Sequence, residues 1–217
     1  MPIKHIIEAG DSVTSLADQF GHFVDTIWND PANAALKQKR KNMDILLIGD
    51  VLVIPDKRLK ELSKPAEKKH GFRRKGVPAI FRMQVFDRDQ PRGRQDYTFT
   101  VDGRVCKGTT DGDGVMEETI SPQAREGQLI IGPDHFEVIV KFGHLDPVSE
   151  LSGIQKRLNN LGFDCGEPDG EMRPQTEGAL RSFQRRFKLQ ETGKADAATG
   201  KKLEEVHENV GSLSKDK

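Results

Sequence analysis

The sequence predicts an α+β chain made of several small modules, and three changes of pattern carry that prediction. Apolar residues fall at helical spacing between two β-branched runs in residues 1–56. They alternate with polar ones through residues 77–147, and they return to helical spacing in residues 148–208. The chain has 217 residues, 35% hydrophobic and 31% charged. That apolar content is too small for one large core and suits several small ones.

In the first module Ile3 to Ile7 is a short apolar run with β-branched residues, read as a strand. Gly10-Asp11-Ser12 turns the chain and offers an N-cap, since a side-chain oxygen there can accept from an orphan N–H of the first helical turn. Val13, Leu16, Ala17 and Phe20 then follow at i, i+3, i+4 and i+7, and Gly21 stops the helix. A second helical stretch includes Ile27, with Ala35-Leu36 a candidate continuation after Pro31. Gly49-Asp50 turns into a strand from Val51 to Ile54, closed by Pro55. The unit is βααβ. His5 to Val13, Leu16-Ala17, Phe20-Gly21, Ile27-Trp28-Asn29 and Gly49 to Pro55 together resemble a LysM domain over residues 4–56. The departure is the stretch Pro31 to Asp44, longer than in a minimal LysM.

Residues 57–76 hold nine Lys or Arg against two Asp or Glu, including Lys57-Arg58, Lys68-Lys69 and Arg73-Arg74-Lys75. Such a run could meet an anionic polymer. Pro65 and Gly71 interrupt it and no aromatic series is interleaved for stacking, so it reads as a basic linker with no nucleic-acid partner.

Between residues 77 and 147, Phe81, Met83 and Val85 alternate with polar residues, as do Tyr97, Phe99 and Val101. Asp102-Gly103 signals a hairpin leading into Arg104 to Lys107. Val115 to Ile120, Leu129 to Ile131 and Phe136 to Phe142 supply further strands. About six short strands predict a small antiparallel β-sandwich. Its Gly108-to-Gly114 turn loosely resembles transthyretin-like or carboxypeptidase-regulatory-like sandwiches.

In residues 148–208, Leu151, Ile154, Leu158 and Leu161 keep helical spacing up to Gly162. Arg173-Pro174 opens a second helix, with proline at the tolerated first position, and Ala179, Leu180, Phe183 and Phe187 form its apolar stripe. Asp196 caps a third, carrying Leu203 and Val206. The ordered series Gln155, Leu158, Leu161-Gly162, Asp169-Gly170, Thr176, Ala179-Leu180, Phe183-Gln184 and Thr192-Gly193 resembles the common peptidoglycan-binding domain, which implies three helices. Residues 209–217 read as a tail.

No catalytic centre is legible. The six histidines are scattered, without the HxH or HExxH spacing of a zinc hydrolase. Cys106 lies in a strand-like run with His135 and His144 in the same module, so a Cys–His pair is conceivable, but a buried inert thiol fits the run better. Glu117-Glu118 point to opposite faces of a strand and cannot act as paired carboxylates. Asp111 and Asp113 lack the further ligands of a calcium loop. Two distant cysteines form no disulfide framework. No enzyme activity, metal or cofactor is expected.

The LysM resemblance implies a glycan groove between the Gly10-to-Ser15 turn and the Asp44-to-Gly49 loop. Gly10, Asp11, Ser12 and Val13 would form one wall and Ile45, Leu46 and Leu47 the other, with Asn29 of the Ile27-Trp28-Asn29 motif nearby. The competing reading of Asp11 and Ser12 is helix capping, and that of Trp28 is core rather than sugar stacking. Asp169 and Gly170 are the matching candidates in the last module, where a purely structural turn is the competing reading. The expected function is a non-catalytic peptidoglycan-binding or anchoring adaptor for N-acetylated glycan strands or stem peptides, with peptidoglycan or another N-acetylglucosamine-containing glycan as partner. A second reading follows from the long Asn29-to-Gly49 spacer, which resembles that of modules in type VI secretion and other contractile injection machines. It is a structural or effector-loading adaptor with spike or baseplate proteins as partners. A third is a cell-wall hydrolase. No run of 18 apolar residues is present, so no membrane span is expected, and no apolar signal region follows Met1. The expected location is therefore cytoplasmic as synthesised, with delivery to the periplasm or cell exterior by a dedicated machine.

Overall fold

β-branched residues favour a pleated backbone, and the chain opens and closes its first unit with them. Strands β1 (Ile3–Ile6) and β2 (Val51–Ile54) pair antiparallel, Ile6 facing Val51 and His5 facing Leu52. The computed structural model describes residues 1–57, 63–71, 79–87, 90–143 and 145–208. Arg58 and Arg73-Arg74-Lys75 of the basic linker, His144 and the 209–217 tail lie outside the described residues.

Helix α1 (Val13–Phe20) starts at Ser12, whose side chain accepts from the Ser15 N–H while the Ser15 hydroxyl receives the Ser12 N–H, a reciprocal cap. It ends at Gly21, in the left-handed conformation that glycine adopts without a Cβ clash. The second helical stretch is in fact two helices, α2 (Val24–Trp28) and α3 (Ala34–Arg40), separated by a 3-10 turn at Pro31–Asn33. Pro31 sets the break, and Asn33 stabilises it. The Asn33 amide is 1% exposed; its nitrogen donates to the Ile27 and Val53 carbonyls at 2.9 and 2.7 Å, and its oxygen accepts from the Val53 N–H at 2.8 Å. One side chain thus substitutes for a strand neighbour along β2. Ile7, Val13, Leu16, Ile27, Leu52 and Ile54 lead the core beneath.

Alternation then builds a four-stranded antiparallel sheet in the order β10 (Phe136–Lys141), β9 (Glu126–Ile131), β6 (Asp96–Val101), β7 (Arg104–Thr109). Asp102 and Gly103 both have positive φ, 49° and 74°, as the tight β6–β7 hairpin requires. A separate pair, β3 (Ala79–Gln84) with β8 (Val115–Ile120), covers one face. Phe81 of β3 stacks on Phe99 of β6 with ring centroids 5.4 Å apart, and Met116 joins the same core. β4 (Phe86–Asp87) and β5 (Gln90–Pro91) make a small ribbon. Cys106 is buried in β7. Burial and the hydrogen bond to Glu118 push the Tyr97 phenol up to about 12.

Helices α4 (Leu151–Asn160), α5 (Pro174–Arg186) and α6 (Ala197–Glu208) share a third core of Ile154, Leu158, Leu180, Phe183 and Leu203. The described residues are thus mixed α+β, with six α-helices and several small antiparallel sheets.

Candidate functional site

The two walls of the expected groove are brought together, and both are heavily used by the fold. The Thr14 hydroxyl donates to Asp44 at 2.7 Å and the Val13 N–H to the Met43 carbonyl at 3.1 Å, stitching the turn to the loop. Asp11 faces inward rather than capping α1: it accepts from the Glu8 N–H at 3.0 Å and pairs with His5 at 2.8 Å. Ser12 is the cap. Val13 is fully buried, Ile45 and Leu46 are nearly so, and Leu47 is half-buried. Asn29 is exposed, with its side-chain oxygen accepting from Lys37 at 2.6 Å. Trp28, 7% exposed, packs in the core beneath Lys37.

The loop wall hangs on Asp50, which sequence reasoning treated only as a turn residue. Its side chain is 6% exposed and receives Arg40 Nη2 at 2.9 Å and the Leu47 N–H at 3.0 Å. Burial alone would raise the Asp50 carboxyl, but the bonds from Arg40 and Leu47 outweigh it and hold the group below the ordinary carboxylate range.

In the helical unit, Asp169 and Gly170 sit in an exposed turn. Asp169 accepts from the Glu171 N–H at 2.9 Å and pairs with Arg173, which together hold its carboxyl low. Behind the turn lies Gln155, 1% exposed, whose oxygen accepts from the Gly170 N–H at 2.8 Å and whose nitrogen donates to the Glu171 carbonyl and Thr176 hydroxyl. Gln184, fully buried, repeats the arrangement on the next loop, accepting from the Gly193 N–H at 2.8 Å and donating to Thr192, Lys194 and Thr199. Each glutamine binds loop backbone on the inside; the Asp169-Gly170 turn beyond Gln155 is exposed, whereas Gly193 beside Gln184 is itself buried under Glu177 and Arg181. Both residues were read only as pattern positions in the sequence; burial gives them a physical role, because a buried amide must satisfy its donors and acceptors.

The far end of this unit holds a half-buried histidine. The Asn160 amide nitrogen stands 3.0 Å from His207 Nε2, and the buried Nδ1 has no hydrogen-bond partner. Burial and the nearby Arg157 charge push His207 down to about 4. The unfolded value is about 6.5, so the unfolded chain takes up the proton first as pH falls. This contribution to stability is complete above about pH 6.5 and is lost between there and pH 4, on the order of 3 kcal/mol in all. Protection of the α6 amides, taken relative to their intrinsic exchange rates at each pH, is therefore expected to fall over that interval, and His207→Gln should flatten the slope. An unchanged slope in the variant would assign the effect elsewhere.

Among the described residues no group of three or more His, Cys, Asp or Glu could hold a metal ion, and no helix is long and apolar enough to cross a membrane. Residues 148–203, the segment that forms α4, α5 and most of α6, match the family model described as "Putative peptidoglycan binding domain". The chain matches no curated protein and no solved structure. The family match supports peptidoglycan binding, in general terms, for the helical unit.

Proposed function

We propose that the chain is a non-catalytic peptidoglycan-binding adaptor that grips wall polymer through residues 148–208 and carries, in residues 4–56, a second LysM-like glycan module. The observation that carries this reading is the family match over residues 148–203. Its loops are held from behind by Gln155 and Gln184, and the exposed Asp169-Gly170 turn is thereby pre-shaped for a polymer. N-acetylated glycans and stem peptides present amides, hydroxyls and apolar ring faces, which a shallow polar surface can hold at modest affinity. Two such modules on one chain reinforce each other by effective concentration.

Full-length protein is expected to pellet with purified sacculi at moderate salt. A chain that stays in the supernatant sinks the proposal, and clearing of a wall-embedded gel would overturn its non-catalytic part. A second reading is an adaptor of a type VI secretion or related contractile machine, made in the cytoplasm and carried out with spike or baseplate proteins. What favours it is the Asn29-to-Gly49 spacer, longer than in a minimal LysM and carrying α3 with its Arg40–Asp50 clamp. Co-purification with spike or baseplate proteins, without sedimentation on sacculi, would select it.

A further inference from the structure

The Gly10 turn of the first module lies against the rest of the chain, and the close fit depends on Gly143. A Cβ built on Gly143, just after β10, would lie 2.6 Å from the Gly10 carbonyl oxygen and 2.8 Å from its Cα. One built on Gly10, which has φ +88°, would lie 1.8 Å from Arg125 Nη1. A side chain at Gly143 would press on the Gly10 backbone and force the modules apart, whereas one at Gly10 would displace the Arg125 guanidinium. Around this contact the Gln123 amide donates to the Ser15 carbonyl at 2.7 Å, and Arg125 Nη2 stands 3.8 Å from Asp11.

The same approach closes the groove. What remains between the Glu8–Asp11 turn and Leu46 and Ile48 is a cleft of about 40 Å³, its other side formed by Leu145, Asp146 and Lys156. That is room for two or three waters, where small-ligand pockets begin near 300 Å³. The plug is anchored. Lys156 and Ser152 bond the Asp146 carboxylate at 2.7 and 2.8 Å, and Arg157 holds the Asp146 carbonyl at 2.7 Å.

We infer that the sandwich and the Leu145–Lys156 region latch onto the first module and mask its groove, so that the chain exchanges between a closed, masked form and an open form able to take an N-acetylglucosamine oligomer. The inference rests on the reading of residues 4–56 as a glycan module. The latch is weak by construction: Arg125 is 48% exposed, and an exposed ion pair stabilises little. Ligand affinity is then divided by the open fraction, and loosening the latch restores it.

The test compares the full-length protein with Arg125→Glu/Gln123→Ala, which sets a carboxylate beside Asp11, and with Gly143→Val, which wedges the glycine contact. A hexamer of N-acetylglucosamine is titrated into each by calorimetry, and the radius of gyration is measured by solution scattering. About tenfold tighter binding by either variant, with a larger radius, is the expected result. Equal affinity in all three proteins, including none in any, overturns the masking. Neither variant alters residues 148–208, so sacculus sedimentation is read alongside. Sedimentation retained with unchanged hexamer affinity removes the masking alone, whereas sedimentation lost in all three removes the wall-binding reading.

Discussion

Asp50→Ala is expected to lower the stability of the first module by about 3–5 kcal/mol, the range for breaking a buried ion pair from one side. The substitution leaves Arg40, whose side chain is only 5% exposed, without its partner and frees the Leu47 N–H. A unit of some fifty residues has about 3–8 kcal/mol of stability in total, so most or all of it is removed. Trp28 is the chain's single tryptophan and sits in that module's core, which makes its fluorescence in urea a local reporter. Asp50→Asn, which retains an oxygen for Leu47, should fall between the two. The pH dependence has a definite sign. The folded carboxyl lies below its ordinary value, so its contribution is complete above about pH 4 and is lost as pH falls further through the folded value. Acid unfolding followed at Trp28 should show that step in the wild type and lack it in Asp50→Asn. A loss under about 1 kcal/mol in Asp50→Ala would mean that the loop is held by its apolar residues rather than by the clamp.

Local signals were legible because local physics produces them. Ser12 caps α1, Asp102-Gly103 turns the β6–β7 hairpin, and the alternating residues of β6 bury Tyr97, Phe99 and Val101. Pro31 marked a break, but the sequence did not show that Asn33 would bind both Ile27 and Val53, because a polar residue leaves no periodic trace. Gln155 and Gln184 stood in the sequence as pattern positions, but their hold on the loop backbones left no trace for the same reason. Gly10 and Asp11 illustrate a different limit. Their turn was visible, whereas Arg125 and Gly143, more than a hundred residues away, decide what the turn touches. In the candidate site, the two walls were named only through the LysM resemblance. That the walls are stitched by Thr14 and Asp44 and closed from outside is a property of packing between distant segments.

Arg157→Ala is expected to be about as damaging to the helical unit, on the order of 3–5 kcal/mol, for a different mixture of reasons. The guanidinium is wholly buried and joins three segments: the Asp146 carbonyl at 2.7 Å, the Gly153 carbonyl at 2.9 Å and Glu208 of α6 at 2.7 Å. Gly153 has no Cβ because α4 runs directly over the Asp146–Pro147 backbone, where a Cβ would lie 2.2 Å from the Pro147 oxygen. The Asp146 carbonyl therefore has little access to other donors once Arg157 is gone. Glu208 is 22% exposed and can turn toward water, so the orphaned carboxylate is the smaller cost. The lost carbonyl bonds and the cavity left by a long side chain are the larger ones. Arg157→Met separates these terms, since it refills most of the volume but restores no hydrogen bond. Urea unfolding followed by exchange of the α4 and α6 amides should place Met between wild type and Ala. If Met equals wild type, the desolvation of the guanidinium already cancels its contacts, and the side chain holds Asp146 for position rather than for stability. That outcome would still matter for the closed form, because Asp146 belongs to the plug that faces the Gly10 turn.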